Sequence, residues 1–533
     1  MENNEKQLNK SSYPTFSEPR GDKRVGIIGA GISGLATAKV LSARGFEVTV
    51  LEKEPTLGGV WAISRTYPGL RTNNSKETYC FSDHSHSDSI KHFPTAADVR
   101  DFLETYSDRF NIRSCIRFGV EVSRVVEAEE ASEAGFNIEI REIDSGKAET
   151  LFFPHVVICN GAFSKVSMPE IEGRESYSGK VVHSSKCTAK EIEQATSILT
   201  IGAGKSALDC ASMAALSEKK STLVFRQAHW MAPRYFPGGA RSDMRMVSRF
   251  AELFIEYPNR TSFENFLHRH CNFLVKAWWG LQNAVLPKAA QMAPVMIPDR
   301  PLPAGFESIG QVDHIYDLHN AGRVNAIRSG IKNFTESGVR LENGETVEAD
   351  LVVLATGWQR DLSFLDEGLK EKIMPSGRFR LYRRIVPPEI RGLAFIGYFP
   401  TLACPISFEI AAHWTAQYFT GDLKLPSIPE MDKEIERLEN WARERLPESR
   451  DGVFTGPYQA HFINDLMGDM KLRINRTSNF ITEYLGTFQP KRYANLAEEL
   501  KLASEGRDKA FYLSGRQTLT GLLVLGLLWL VVS

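Results

Sequence analysis

An α/β fold is what the sequence predicts, on three observations. The cluster Gly29-Ala30-Gly31-Ile32-Ser33-Gly34 directly follows the short apolar run Arg24–Ile28 and opens a helical pattern from Ile32 to Arg44. The cluster Gly202-Ala203-Gly204-Lys205-Ser206-Ala207 repeats that grammar after Ser197–Ile201, ahead of a helix from Ala207 to about Leu216. Each cluster is followed by a further apolar run, Phe46–Leu51 and Thr222–Phe225, so each sits at the centre of a βαβ unit. Glycines at this spacing let the backbone approach a pyrophosphate at the positive end of the helix, so both units are expected to be dinucleotide-binding, Rossmann-like domains.

The charges at the strand ends assign a different nucleotide to each unit. Glu52 closes the second strand of the first unit. A carboxylate there accepts from ribose hydroxyls and repels a 2′-phosphate, which suits FAD or NAD. Gly58-Gly59-Val60-Trp61 follows, with glycines that let the chain pass close to a ligand and an indole that offers a flat wall. In the second unit Asp209 lies on the helix, and the next strand ends in Phe225-Arg226-Gln227 with no acid. A cation at Arg226 would pair with a 2′-phosphate, which suits NADPH. FAD first and NADPH second make a pyridine-nucleotide-dependent flavoenzyme. Gly29, Ala30, Gly31, Ile32, Ser33, Gly34, Glu52, Gly59, Val60 and Trp61 are expected at FAD. Gly202, Gly204, Lys205, Ser206, Ala207, Asp209 and Arg226 are expected at NADPH.

The segments Leu151–Asn160 and Asp350–Trp358 share a pattern and read as crossings between a first domain and one inserted into it, with a hairpin around Asn343-Gly344 just before the second. The expected division is a disordered lead-in over 1–22, the FAD domain over 23–165 and 333–450, the NADPH domain with an insertion over 166–332, and a C-terminal extension over 451–510. A hydrophobic membrane-seeking tail is expected over 511–533. After Arg516 no charge follows, and roughly 17 helical residues would reach ~25 Å, slightly short of a bilayer core. The lead-in is polar and no signal peptide, so the catalytic part is expected on the cytosolic side of a membrane. The stretch His268–Met296 reads either as an interfacial helix pair or as a core helix interrupted at Pro287.

Lys plus Arg number 64 against 65 for Asp plus Glu, so no charge field points to nucleic acid. The seven cysteines form no C-x-x-C pair, which argues against structural zinc and against a dithiol flavoreductase. No metal is expected; His84, His86 and His92 read as a solvated loop.

The segment Tyr177-Ser-Gly179-Lys-Val-Val-His183-Ser-Ser-Lys-Cys187 resembles the identifying motif of the flavin-containing monooxygenases, which are related to the Baeyer–Villiger monooxygenases. Cys187 departs from it, because those families carry an aromatic residue there. The resemblance continues through Ala355-Thr356-Gly357-Trp358 and Phe395-Ile-Gly397-Tyr398 and covers roughly Lys23–Ser427. It implies FAD, NADPH and O₂ as reactants, a C4a-hydroperoxyflavin, cofactor contacts at Thr356 and Gly357, and a His183 that holds the domain linkage. Eukaryotic members often carry a hydrophobic tail, which implies the endoplasmic reticulum membrane if the source is eukaryotic.

The polar loop Thr66–Asp83 is mixed. Thr72-Asn73-Asn74-Ser-Lys-Glu resembles the N- and S-oxygenating members, in which the first Asn sits at flavin and nicotinamide; Thr72, Asn73 and Asn74 are accordingly expected at the cofactors. Tyr67-Pro68-Gly69 resembles the Baeyer–Villiger turn, but Asn73 stands where those enzymes have Asp. A protonated hydroperoxide gives its distal oxygen to a nitrogen or sulfur lone pair, whereas an ionised one attacks a ketone. A neutral amide at Asn73 favours the first course, so Asn73 is the expected catalytic residue and a small nucleophilic nitrogen or sulfur compound the expected substrate. Ketone oxygenation, with Arg65 or Arg71 as stabilising cation, is the alternative, and a membrane-tethered flavoprotein without oxygenase activity is another. Oligomeric state is not legible.

Overall fold

The structure is a computed structural model that describes residues 22–128, 134–236, 238–304, 310–445, 451–453 and 456–504. The expected tail over 511–533 and the lead-in up to residue 21 lie outside the described residues. Among the described residues no helix is long and apolar enough to cross a membrane.

Five parallel strands form the first sheet, in the order Leu393–Phe395, His155–Ile158, Arg24–Ile28, Glu47–Leu51, Ile116–Arg117. Its central strands read as continuous apolar runs because both faces are covered. Helices Ile32–Ala43 and Cys404–Thr420 pack against each other beside it. The expected strand Leu151–Asn160 is two strands. Ala148–Phe153 closes a three-stranded antiparallel meander, and His155–Ile158 enters the parallel sheet. Pro154 stands between them, where a missing N–H costs neither ladder a bond.

The second sheet is also five-stranded and parallel, in the order Val324–Arg328, Lys220–Phe225, Ser197–Ile201, Leu351–Leu354, Lys180–His183. The boundary expected at 332 is therefore too early. The hairpin Gly338–Leu341/Thr346–Glu348 buries Val339, Leu341 and Val347 with Leu199, Val224 and Val352 of this sheet, so the second unit runs on to Leu354. The chain crosses between units at Lys165–Val166 and Trp358–Gln359, which pair antiparallel.

After strand Lys220–Phe225 a short parallel pair, Met231–Pro233 with Gly310–Val312, brackets an inserted group of helices. The segment expected around His268–Met296 is a helix pair, Ser262–His270 and Asn272–Ala289, broken at Cys271 rather than at Pro287. Pro287 lies inside the second helix, in its last turn, where its missing N–H leaves the Asn283 carbonyl without that intrahelical bond.

The insertion is tied to the C-terminal extension by buried charge. His461, on helix Gln459–Asp469, lies between Glu252 (Nδ1, 3.1 Å) and Glu264 (Nε2, 2.8 Å), and all three are buried. Burial alone would push the imidazole pKa down, but the two carboxylates hold it up at about 10. Arg249 pairs with Glu483 at 2.8 Å in the same interface. A histidine whose pKa rises on folding stabilises fully below its ordinary value near ~6.5, and this contribution is lost as pH rises through about 10. His461→Gln leaves two buried carboxylates without their cation and is expected to cost about 3 kcal/mol at neutral pH. Thermal unfolding of both proteins from pH 7 upward checks this: the gap between them should close as pH passes about 10.

Candidate active site

The first glycine cluster is fixed by close approach. Gly29 has φ +105°, and a Cβ there would lie 2.7 Å from the Cys159 carbonyl oxygen. A Cβ at Gly34 would collide with the Gly29 carbonyl, so only glycine lets the first helical turn lie on the loop. Helix Ile32–Ala43 starts after Gly31 with no side-chain cap and no acid in its first turn. Its leading N–H groups are therefore left for an anion. The second cluster faces the first: a Cβ at Gly59 would sit 3.0 Å from Gly31 Cα, and Gly58 N–H donates to the Ala30 carbonyl at 3.0 Å. Glu52 is buried and accepts from Ala30 N–H at 2.6 Å and from Glu54 N–H at 2.9 Å. Burial pushes its pKa up while these two donors oppose the shift. Further lone pairs on both oxygens remain for a ribose. Ser33 lies buried under the loop and Val60 is exposed. Trp61 donates its Nε1–H to the Tyr79 hydroxyl at 2.8 Å, so the ring offers its face and not its N–H.

The second unit repeats the device. Helix Lys205–Leu216 begins after Gly204, again without a side-chain cap or an early acid. A Cβ at Gly202 (φ +138°) would collide with the Ala355 carbonyl, and Ala207 fills the third position fully buried. Cβ atoms at Gly204 and Gly357 would meet no protein atom within 4 Å. That open room beside an uncapped helix is the shape a pyrophosphate needs. Arg226 is exposed just past the carboxyl end of strand Lys220–Phe225, and Ser206 is half-buried in the first helical turn. Asp209 faces elsewhere than expected: it accepts from the Tyr67 hydroxyl at 2.9 Å and pairs with Lys205. Burial lowers the Lys205 pKa, with Asp209 opposing.

Thr356 and Gly357 sit at the crossing between units. Thr356 Oγ1 donates to the Ser167 carbonyl, and the Gly357 carbonyl accepts from Ser167 N–H at 3.0 Å. His183 Nδ1 accepts from Ser185 N–H, so its Nε2–H donates to the same Gly357 carbonyl at 3.2 Å. Burial pushes the His183 pKa down, which suits this neutral tautomer. Cys187 is buried in one apolar cluster with Ile192, Cys210 and Val353.

The loop Thr66–Asp83 lies between the units and is held from several sides. Tyr67 is bound by Asp209, and Gly69 packs against Met213, whose Sδ a Cβ would approach to 2.9 Å. The Thr72 carbonyl accepts from Arg234 at 3.0 Å, Asn73 Oδ1 accepts from Gln311 N–H at 3.2 Å, and Ser75 N–H donates to Asp243 Oδ2 at 3.0 Å. Thr72 Oγ1 and Asn74 are used inside the loop: Thr72 donates to the Asn74 carbonyl and Asn74 donates to Thr78. Asn73 alone of the three lines a small cavity, about the size of one water molecule, with Asp243, Met246, Val247, Gly310, Gln311 and Leu402.

Arg65 and Arg71 are turned away from that cavity. Arg65 stacks 4.7 Å over Trp358 and donates to the Phe163 carbonyl, and Arg71 donates to the Phe93 carbonyl at 3.1 Å. Arg234, which reaches the loop at Thr72, is buried and paired with Asp313 at 2.8 Å. Arg234, Asp243 and Gln311 carry no sequence signal of their own. The histidine stretch is less solvated than expected, since His86 is buried on Phe102 at 4.1 Å and burial drives its pKa to about 4. Among the described residues no group of His, Cys, Asp or Glu could hold a metal ion.

A buried carboxylate after the second strand of one unit, an exposed cation at the same place in the other and two uncapped glycine-led helices fit one class, a flavoprotein that takes two different dinucleotides. The chain belongs to the flavin-binding monooxygenase-like family, whose model matches residues 22–486. It is 28% identical over 521 residues to probable flavin-containing monooxygenase 1 of Arabidopsis thaliana, covering 89% of this chain and 97% of the relative. Its fold is similar to that of S-allyl-L-cysteine S-oxygenase from Allium sativum (TM-score 0.57, 19% identity, 92% and 95% covered). It is also similar to an oxidized steroid monooxygenase bound to NADP (TM-score 0.63, 17% identity, 84% and 98% covered). The protein is a flavin monooxygenase that uses FAD and NADPH.

Two glycines predict contrasting outcomes. Gly34→Ala is expected to abolish flavin retention, read from the visible spectrum of purified protein, because its Cβ has no room. Gly204→Ala should keep fold and flavin but raise the KM for NADPH, since its Cβ enters only the open space. Arg226→Ala should raise the NADPH KM by about 10-fold or more, the worth of one charge-assisted contact, with NADH little affected.

Proposed function

We propose that this enzyme transfers one oxygen atom from O₂ to a nucleophilic nitrogen or sulfur of a small molecule, with NADPH as reductant. The observation that carries this reading is Asn73: a neutral amide that lines the cavity, fixed by Gln311 N–H, at the position where ketone oxygenation would call for a carboxylate. FAD, when bound and reduced by NADPH, supplies the activation of O₂. The uncapped N-terminus at Ile32 and the Gly31–Gly59 contact would hold its pyrophosphate, and Glu52 its ribose. The uncapped N-terminus at Lys205 and Arg226 would hold NADPH. Asn73 would then donate or accept a hydrogen bond at the reacting centre without introducing charge. Ketone oxygenation has one supporting observation, the buried Arg234 guanidinium beside Thr72, but Asp313 compensates that cation.

The uncharged segment 517–533 is read as seeking a membrane surface. Its support is composition, together with the outer face of helix Asn272–Ala289, where Phe273, Leu274 and Val285 are exposed among Lys276 and Lys288.

Turnover with NADPH and ¹⁸O₂ on a tertiary amine, a primary amine, a thioether and a cyclic ketone tests the reaction by mass spectrometry. Label is expected in an N-oxide, hydroxylamine or S-oxide. Label in a lactone alone would overturn the reading.

A further inference from the structure

Two buried acceptors beside Asn73 have nothing to accept. Asp243 is fully buried; its Oδ2 takes the Ser75 N–H at 3.0 Å, and Oδ1 has no hydrogen-bond partner. Gln311 is buried as well. Its Nε2 donates to Ser242 Oγ at 2.6 Å, which fixes the amide and leaves Oε1 as the end without a partner. Both side chains line the small space that Asn73 borders, and Met246, Val247, Gly310 and Leu402 supply the rest of its wall. A buried acceptor without a donor forfeits its hydration, so native proteins rarely leave one.

Arg241 does not supply the missing donor. Its Nε stays 3.7 Å from Asp243 Oδ1, beyond hydrogen-bond reach, and its Nη1 donates to Glu77 at 3.0 Å. The space is about the size of one water molecule, too small for an organic ligand. A water brings two hydrogens, one for each acceptor, and a buried water needs two or more such partners.

The same two residues hold the loop. Gln311 N–H donates to Asn73 Oδ1 at 3.2 Å, and this bond decides that the NH₂ end of Asn73 is its free end. Little else steadies Gln311, because its strand, Gly310–Val312, is short and pairs only with Met231–Pro233. Asp243 grips the loop separately, at Ser75. A water between Asp243 Oδ1 and Gln311 Oε1 would close a ring that runs from Ser75 through Asp243, the water and Gln311 back to Asn73.

We propose that this space binds one water, which donates to Asp243 Oδ1 and Gln311 Oε1, and that Asp243 is thereby a positioning residue for Asn73. The inference rests on the reading of Asn73 given above and adds the groups that orient it. With the ring closed, Gln311 stays on Asn73 Oδ1 and the amide presents its N–H groups to the reacting centre. With the ring open, the amide is free to turn over and present its oxygen instead.

The test uses FAD-loaded full-length enzyme with a tertiary amine and a thioether as substrates, and it reads peroxide released per NADPH consumed. Asp243→Ala removes the acceptor and should raise that ratio about fivefold, the worth of one hydrogen bond. Flavin content and the NADPH KM should stay nearly unchanged. Asp243→Asn can accept from Ser75 N–H and donate to the same water through its NH₂ group, so it should bring the ratio most of the way back. No rise with alanine would overturn the proposal. So would an asparagine variant as uncoupled as the alanine one, since charge and not the water would then be what counts. Parallel loss of flavin, NADPH binding and coupling in both variants would reduce Asp243 to a structural part. A crystal structure of the unaltered holoenzyme is independent of any variant: it should show one water within hydrogen-bond distance of Asp243 Oδ1 and Gln311 Oε1, and a space without it would overturn the proposal. If the unaltered enzyme oxygenates neither compound, the oxygenation reading fails, while that structure still decides the water site.

Discussion

The site depends on one constraint: a loop that belongs to the first unit by sequence is held in shape by hydrogen bonds from the second. Asp209 on the second nucleotide helix takes the Tyr67 hydroxyl, and Arg234, Asp243 and Gln311 on the insertion fix Thr72, Ser75 and Asn73. None of these bonds forms until the two parallel sheets and the insertion are in place. The loop therefore acts as a joint between the two nucleotide sites. Tyr67-Pro68-Gly69, which resembles a motif of ketone-oxygenating enzymes, serves in this chain as the foot of that joint: the hydroxyl binds Asp209 and the glycine makes room for Met213.

Charge around the loop is matched almost completely. Lys205 pairs with Asp209, Arg234 with Asp313, and Arg65 stacks on Trp358. In a buried site an unmatched charge interacts strongly with anything that enters. Asn73, a neutral amide, adds no charge to this loop.

The parts of this that the sequence shows are local ones. Gly29, Gly31 and Gly34 are legible because a strand–turn–helix needs them within six residues, and Glu52 because it ends the next strand. The βαβ elements follow closely, with Ser197–Ile201 placed as read and the hairpin at Asn343-Gly344 found. Strand membership was less legible: Leu351–Leu354 reads like the strand that ends the first domain's opening half, yet parallel pairing with Ile198–Ile201 and Lys180–His183 places it in the second sheet. The walls of the site were not legible at all. Arg234, Asp243 and Gln311 reach the loop across sequence separations of 162, 168 and 238 residues, through an insertion whose helices carry no recognisable code. Asp209 and Asn74, both expected at the cofactors, also carry structure that sequence does not show: Asp209 accepts from the Tyr67 hydroxyl and Asn74 donates to Thr78.

The most direct measurement is product distribution and coupling for Asn73→Asp, with the amine, thioether and cyclic ketone supplied together under ¹⁸O₂. The substitution changes almost nothing in size and adds one negative charge at a half-buried position. Labelled N- or S-oxide should fall by about tenfold or more per NADPH consumed, with peroxide or labelled lactone rising in its place. Unchanged oxide formation and unchanged coupling would contradict a role for the neutral amide and remove Asn73 from the chemistry.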